Sequence, residues 1–177
     1  DDVAVDQAAN RRGMGAAVLV EKIAGAAAEA GKPLAAVARL AHRVAEQARS
    51  MGVALSSCTP PSVGHPTFQL PDRQIELGVG IHGEPGRRRM ALAEADTIVD
   101  LLAAPILDDR ELRAPDTVLA MVSGLGGTPQ QELYIVYRRL HELLTQHGIR
   151  VERSLVGNYV TSLDMAGCTV TLLRLYP

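Results

Sequence analysis

Apolar residues recur along the chain with two different periods, and the changes of period predict alternating helices and strands. Four segments have the period of about 3.6 residues that is typical of a helix with one buried face: 14–30, 33–51, 93–103 and 129–147. Gly31, Pro105 and Gly148 follow three of these segments and are expected to end the helices.

Five further segments predict β-strands, by alternation or by a short apolar run: 52–58, 74–81, 117–123, 149–156 and 168–175. The segment 117–123 is apolar throughout, as expected for a central strand with both faces buried. In 74–81, the polar face is reduced largely to Gly78 and Gly80, which indicates that another backbone or a ligand comes close. That strand is expected to end at His82. The chain therefore reads as an α/β domain without a linker or repeat.

Composition and charge exclude several classes of protein. The 177 residues carry 18 basic and 20 acidic side chains, a formal net charge of −2, which argues against a nucleic-acid-binding arm. Aromatic residues make up only 3% of the chain, so a base-stacking platform is not expected. No apolar run approaches the ~20 residues of a membrane-spanning helix. We predict a single globular domain in the cytoplasm that binds neither nucleic acid nor membrane.

Cys58 and Cys168 are the only cysteines, and their separation fits neither a zinc site nor a disulfide framework. We predict that both are small buried apolar side chains. Ser56 and Ser57 lie next to Cys58, but no base is visible in the sequence around them, so a nucleophile at these serines is not favoured.

The glycine-rich turn 124–129 lies between a predicted strand and a predicted helix, which is where phosphate-binding loops occur. It lacks the Lys of a Walker loop and the glycine spacing of a dinucleotide fingerprint. We therefore favour a turn that needs a positive φ over a nucleotide site. Thr128 and Gln131 have the spacing of a capping box at the start of the following helix.

His82 is the histidine whose surroundings suggest chemistry. It follows the glycine-bearing strand and precedes Gly83 and Glu84, so its imidazole could be displayed to a small molecule. Spacing alone leaves open a turn histidine bonded to backbone, a base, a nucleophile or a metal ligand, although no second His or Cys lies at metal-ligand spacing. The arginine run 87–89 is predicted to be solvated rather than anion-binding. The remaining histidines are predicted to be structural or solvated: His42, His65, His141 and His147.

Four motifs occur in order along most of the chain: GVALSSCT at 52–59, ELGVGIHGEPG at 76–86, GLGGTP at 124–129 and TSLDMAG at 161–167. Together they strongly resemble the substrate-binding subunit of dihydroxyacetone kinases. In that family the substrate-binding unit has two subdomains, and this sequence matches only the second, a two-layer α/β unit with a mixed six-stranded sheet. The resemblance implies that 1–177 is one domain, that the first subdomain is absent and that the chain is a fragment.

The resemblance also implies a role for His82. The histidine of the family's Ile-His-Gly-Glu-Pro-Gly motif forms a covalent hemiaminal with the ketone carbon of dihydroxyacetone, and the motif places it at His82, with Gly83 beside it in the substrate site. A neutral imidazole adds to a carbonyl but not to an alcohol, so capture distinguishes a short-chain ketose from glycerol. A terminal hydroxyl held in place by this bond is then phosphorylated.

In the family, the phosphoryl donor is ATP with Mg²⁺ on a separate helical domain, or a helical subunit whose bound nucleotide is recharged through a phosphotransferase relay. The resemblance therefore implies no cofactor in this chain, a helical nucleotide-binding partner and a homodimer. The family's other substrate contacts, including a general base, lie in the missing subdomain. The chain alone is not expected to be an active kinase.

Three alternatives remain open. A sister kinase acts on another small ketose such as erythrulose, and some relatives are non-catalytic, ligand-sensing partners of transcription regulators. The third alternative is a scaffold or dimerisation domain, which exposed apolar stripes on the first two predicted helices would permit.

Overall fold

The computed structural model describes residues 2–7 and 10–176, which contain four helices and six strands. In chain order these are α1 (Gly15–Glu29), α2 (Leu34–Gln47), β1 (Ala48–Ala54), β2 (Gln74–Leu77), β3 (Arg88–Ala91), α3 (Ala95–Asp109), β4 (Thr117–Gly124), α4 (Gln130–Gln146), β5 (Arg150–Gly157) and β6 (Gly167–Leu175). The strand order is β3-β2-β1-β6-β4-β5. β4 and β5 run parallel, and the other neighbouring strands are antiparallel. The predicted α/β class with a mixed six-stranded sheet is confirmed.

The main core lies between the sheet and the helices α3 and α4. The strand residues in this core include Val118, Ala120, Val122, Val170 and Leu172. Alternate residues of the same two strands belong to a second cluster, in which Met121 and Leu173 pack with Ala16 and Leu19 of α1. Because successive side chains of a strand point to opposite faces, the sheet carries helices on both sides, so the two-layer arrangement that the resemblance implies is wrong and the domain has three layers.

The helix α2 packs beside α1 and remains largely at the surface. Val44 is its buried residue, whereas Leu34 at its start is 83% exposed. The expected exposure of an apolar stripe therefore holds for Leu34 of α2 but not for α1, whose Ala24 is buried and whose Val20 and Ile23 pack against the second cluster. Within the described part of the chain, no helix has the length and apolar character needed to cross a membrane.

The predicted helix over 33–51 is too long. Its last residues instead begin β1, which pairs with β6 along its whole length. Ser50 Oγ and Thr171 Oγ1 lie 2.8 Å apart across this pair. Pairing at the buried centre of the sheet therefore outweighs the helical period. β1 also ends early, at Ala54 rather than at Cys58.

The third helix runs past Pro105, which the sequence predicts to lie beyond its end. Proline removes one backbone donor and usually breaks a helix. Here Leu102 and Ile106 on either side of the proline are fully buried in the main core. Burial of a continuous apolar face therefore outweighs the lost hydrogen bond.

β2 ends at Leu77, before the predicted end of that strand, because Gly78 has a φ of 78°. The N–H of Gly78 donates to Gly52 O at 2.7 Å, and the chain leaves the sheet there. The arginine run 87–89 remains exposed, as predicted, but its last two residues begin β3, a strand that the sequence analysis does not predict and that pairs with β2. Arg89 Nε donates to Glu76 Oε2 at 2.9 Å across this pair.

Replacing Leu140 by Ala should lower the free energy of unfolding by about 2–5 kcal/mol, because this α4 side chain is fully buried in the main core. Urea denaturation followed by circular dichroism measures the change. Leu34→Ala is the matched control, the same substitution in a helix at an exposed position, and should change the free energy by less than about 0.5 kcal/mol. Equal losses in the two variants would contradict the placement of the core.

Candidate functional site

His82 lies in the loop that joins β2 to β3, rather than at the end of a strand as predicted. This loop is held against the sheet by a small apolar cluster. Its Val79 and Ile81 pack with residues next to the ends of β1, β4 and β6: Ala54, Cys58, Leu125 and Met165. Gly52 in β1 admits the loop closely, since a Cβ there would lie 3.0 Å from Val79 O. The predicted burial of Cys58 and Cys168 is confirmed.

Glu84 is the main partner of His82. Its Oε1 lies 3.1 Å from His82 Nδ1, and its Oε2 accepts the backbone N–H of His82 at 2.9 Å. An Nδ1–H that donates to this carboxylate leaves the lone pair of the neutral imidazole on Nε2. Because the His82 side chain is 79% exposed, the ring is accessible to a small molecule.

The charge state of Glu84 suits this role. Partial burial by itself would raise the pKa of Glu84, but hydrogen bonds from its own backbone N–H and from His82 outweigh that effect and lower the pKa below its usual value. The group is therefore an ionised acceptor at neutral pH, where histidine side chains can be neutral.

Neighbouring groups come close to the segment 78–80 on the side where Gly78 and Gly80 carry no side chains. A Cβ on Gly80 would lie 2.2 Å from Glu84 Oε2 and 2.6 Å from Arg12 Nη1. A Cβ on Gly78 would lie 2.6 Å from the Cβ of Ala4. The predicted close approach to these glycines is confirmed, and the approaching groups are the carboxylate of Glu84 and the N-terminal segment of the chain.

Gly83 is required for two reasons. Its φ of 81° lies in the left-handed region, which disfavours a side chain. In addition, a Cβ on Gly83 would lie 2.6 Å from Thr67 Oγ1. Thr67 is itself fixed, because its N–H donates to Cys58 O at 3.0 Å and its Oγ1 lies 3.2 Å from Ser57 Oγ.

Arg12 and Asp2 support the loop that carries His82, and the sequence analysis did not identify either residue. Asp2 is fully buried and ion-paired with Arg12, whose Nε donates to Asp2 Oδ2 at 2.9 Å. Arg12 Nη2 also donates to Gly78 O at 3.1 Å. No sequence signal links these residues to the loop, because they lie far from it along the chain. Glu84 had a signal, its position two residues after His82 in a turn.

The serines beside Cys58 bind backbone groups. Ser56 Oγ accepts the N–H of Ala166 at 2.8 Å, and Ser57 Oγ accepts the N–H of Phe68 at 3.2 Å. Their arrangement favours a structural role over nucleophilic chemistry. The other four histidines are exposed and lie outside the loop that carries His82: His42, His65, His141 and His147.

The glycines of the turn 124–129 make room for protein backbone. A Cβ on Gly126 would lie 1.8 Å from Leu163 O, and a Cβ on Gly127 would lie 2.6 Å from Asp164 O. The φ of Gly126 is 120°, so the prediction of a turn with a positive φ is confirmed.

The predicted capping box at Thr128 and Gln131 is wrong. Thr128 Oγ1 donates to Gly167 O at 2.8 Å and accepts the N–H of Gly167 at 2.7 Å. The hydroxyl is therefore engaged by the first residue of β6. α4 begins at Gln130 without a side-chain cap.

A magnesium–nucleotide complex needs carboxylate ligands and donors for the phosphate groups. Among the described residues, no three His, Cys, Asp or Glu side chains are grouped so that they could hold a metal ion.

The described residues thus form an α/β domain with a mixed six-stranded sheet, and the loop between β2 and β3 carries one accessible imidazole. The chain belongs to the Dak1 domain family, whose model matches residues 1–177. The resemblance found in the sequence is thereby confirmed.

Three curated relatives show how the chain aligns within this family. The dihydroxyacetone-binding subunit DhaK of PTS-dependent dihydroxyacetone kinase 1 from Listeria innocua is 46% identical, over 99% of this chain and 54% of its own length. The corresponding subunit of the PEP-dependent kinase of Escherichia coli is 41% identical, over 98% and 56%. L-erythrulose kinase from Pectobacterium atrosepticum is 42% identical, over 93% and 29%. The chain thus spans about half the length of the binding subunits it matches.

Solved structures give the same result for the fold. The dihydroxyacetone kinase operon co-activator Dha-DhaQ superposes with a TM-score of 0.92 at 29% identity, over 100% of this chain and 56% of its own. The dihydroxyacetone kinase of C. freundii superposes with a TM-score of 0.85 at 34% identity, over 100% and 32%. One fold therefore serves a kinase and a co-activator.

Replacing Gly83 by Ala should destabilise the protein by more than the about 1–2 kcal/mol expected for left-handed backbone alone, because the new Cβ also meets Thr67. Gly64→Ala is the matched control, since Gly64 has a φ of 71° but nothing within 4 Å of its Cβ position. Urea denaturation of both variants isolates the cost of the contact. Equal losses would show that residue 83 does not lie against Thr67.

Proposed function

We propose that this chain is the ketose-binding part of a dihydroxyacetone kinase and that His82 captures the ketone covalently. The observation that carries the proposal is the 3.1 Å contact of His82 Nδ1 with Glu84, which leaves the Nε2 lone pair on an accessible ring. The dihydroxyacetone-binding subunits among the relatives support the choice of ligand.

The proposed step is an addition with no leaving group. The Nε2 lone pair of His82 forms a bond to the carbonyl carbon, the π electrons of the C=O bond move to the oxygen, and that oxygen takes up a proton. The ring loses its Nδ1 proton, so the hemiaminal is neutral. Glu84 faces Nδ1 and stabilises the positive charge that develops on the ring. Glu84 is thus a positioning residue that acts through His82.

Covalent capture explains the choice of substrate and the geometry of transfer. Glycerol lacks a carbonyl carbon and cannot form the bond, whereas every short ketose can. The bond also holds a terminal hydroxyl at a fixed distance from the ring, ready to accept a phosphoryl group. His82 contributes binding and orientation, and it does not attack phosphorus.

A second surface has to complete this site. Small-molecule sites bury about 70–90% of the ligand surface, and an imidazole that is 79% exposed cannot do so by itself. We assign the chain to the second subdomain of the binding unit, with the first covering His82 and supplying the general base. A helical domain or subunit supplies ATP and Mg²⁺, and the complete unit is a homodimer. On this basis the chain alone does not phosphorylate a ketose.

A non-catalytic, ligand-sensing function is the second candidate, because the superposition on the co-activator covers the whole chain. The paired His82 and Glu84 favour the kinase, since sensing a ligand does not require an activated imidazole. A sister kinase for erythrulose fits the same site, because erythrulose carries the same ketone group. Competition between dihydroxyacetone and erythrulose for binding shows which of the two ketoses has the higher affinity.

Intact-protein mass spectrometry of the complete protein with dihydroxyacetone should show one added ketose that maps to His82, and none with glycerol. His82→Ala should lose the adduct and discriminate less against glycerol. His42→Ala, which removes an exposed histidine on α2, is the control and should behave like the parent. Because the hemiaminal is reversible, calorimetric titration of the same variants with dihydroxyacetone measures binding even where the adduct does not survive mass spectrometry. Unchanged ketose binding by His82→Ala would overturn the proposal.

Glu84→Gln tests the positioning role through its pH profile. The lowered pKa of Glu84 means that its ionised contacts are present above the usual carboxyl range and are lost as the pH falls through the lowered value. With a neutral amide, the rate of adduct formation at neutral pH should fall at least about tenfold. At a pH below the lowered pKa of Glu84 the parent also loses the carboxylate, so the rates of the parent and of Glu84→Gln should converge there. A constant ratio of the two rates at every pH would indicate a merely structural role.

A further inference from the structure

Four arginines lie near one another at the end of the sheet where β1 begins and β6 ends, which is the end opposite the glycine-rich turn. They are Arg11 before α1, Arg49 in β1, Arg110 at the end of α3 and Arg174 in β6. We refer to these four residues as the arginine cluster.

The arginine cluster contains more guanidinium groups than carboxylates that form ion pairs with them. Arg11 and Arg49 both bind the carboxylate of Asp109, whose pKa falls to about 2 chiefly because of the hydrogen bond from Arg11. Arg174 Nη2 lies 2.8 Å from Asp116 Oδ2. Arg110 forms no ion pair with any described residue, although Asp109 and Glu111 adjoin it in sequence. Within the described part of the chain, two carboxylates therefore form ion pairs with three of the four guanidinium groups.

Two buried donors of the arginine cluster also lack acceptors. The Nε atoms of Arg110 and Arg174 are buried, and neither has a hydrogen-bond partner. Burial and the nearby charge of Arg49 lower the pKa of Arg110. An unmatched cation with a buried donor is costly unless an anion or acceptor compensates it. The negative end of α3 offsets only part of that cost.

We propose that the arginine cluster binds an oxyanion and that a phosphate group is its ligand. Guanidinium groups present several N–H donors in a planar fork that matches the oxygens of phosphate. A phosphate beside Arg110 would supply the negative charge that this guanidinium group lacks among its neighbours. The group can come from free phosphate or from a small phosphate ester, since both present the same oxygens.

Thermal unfolding of the complete protein in phosphate and in chloride at equal ionic strength tests this site. The measurements use a His82→Ala background, so that ketone capture does not contribute. Phosphate at about ten times its Kd should raise Tm by about 2–4 °C. Because phosphate also stabilises proteins by exclusion from their surface, the decisive quantity is the response that Arg110→Gln removes.

Arg110→Gln should lose the specific rise and should not lower Tm in chloride, since it removes a cation that has no partner. Arg113→Gln, the same change at an exposed arginine in the following loop, should keep the full response. The same measurement with dihydroxyacetone phosphate distinguishes free phosphate from a phosphate ester, because the ligand that the site binds more tightly gives the larger rise in Tm. Phosphorus NMR line broadening of inorganic phosphate by the parent is the second readout. Equal responses in the parent and Arg110→Gln would overturn the proposal.

Discussion

Glu84 can contact His82 only because residue 80 has no side chain. Any Cβ at Gly80 would collide with the carboxylate that accepts from the ring and the backbone of His82. The tautomer of the imidazole, and with it the nitrogen available for chemistry, therefore follows from a backbone constraint. Gly83 adds a second such constraint through its left-handed backbone against Thr67. The imidazole is thus oriented by the path of its own loop, while the ring itself stays open to solvent.

The parts of the fold that the sequence predicts well are those in which burial leaves a direct mark on the residue pattern. The apolar run of β4 and the period of α1 belong to this group. The errors lie where tertiary pairing overrides the local pattern: the start of β1, the passage of α3 through Pro105 and the arginine-bearing strand β3. At the site, the motif predicts His82. The support from Arg12 and Asp2 depends on how distant segments fold back together, and no local pattern encodes that.

The two ends of the sheet have opposite characters. One end carries an accessible imidazole next to a carboxylate, and the other concentrates guanidinium groups around two carboxylates. Because the same fold serves a kinase and a co-activator, the sheet does not decide the function.

The strand order also governs how the chain can assemble. β6 is the last strand in sequence, yet it lies between β1 and β4 at the centre of the sheet. Ser50 and Thr171, which meet across β1 and β6, are 121 residues apart along the chain. Contacts of such separation form slowly, because a long loop must close first. On the ribosome, β1 and β4 emerge without the strand that joins them, so the nascent chain exposes unpaired apolar edges until residues 167–175 have been made.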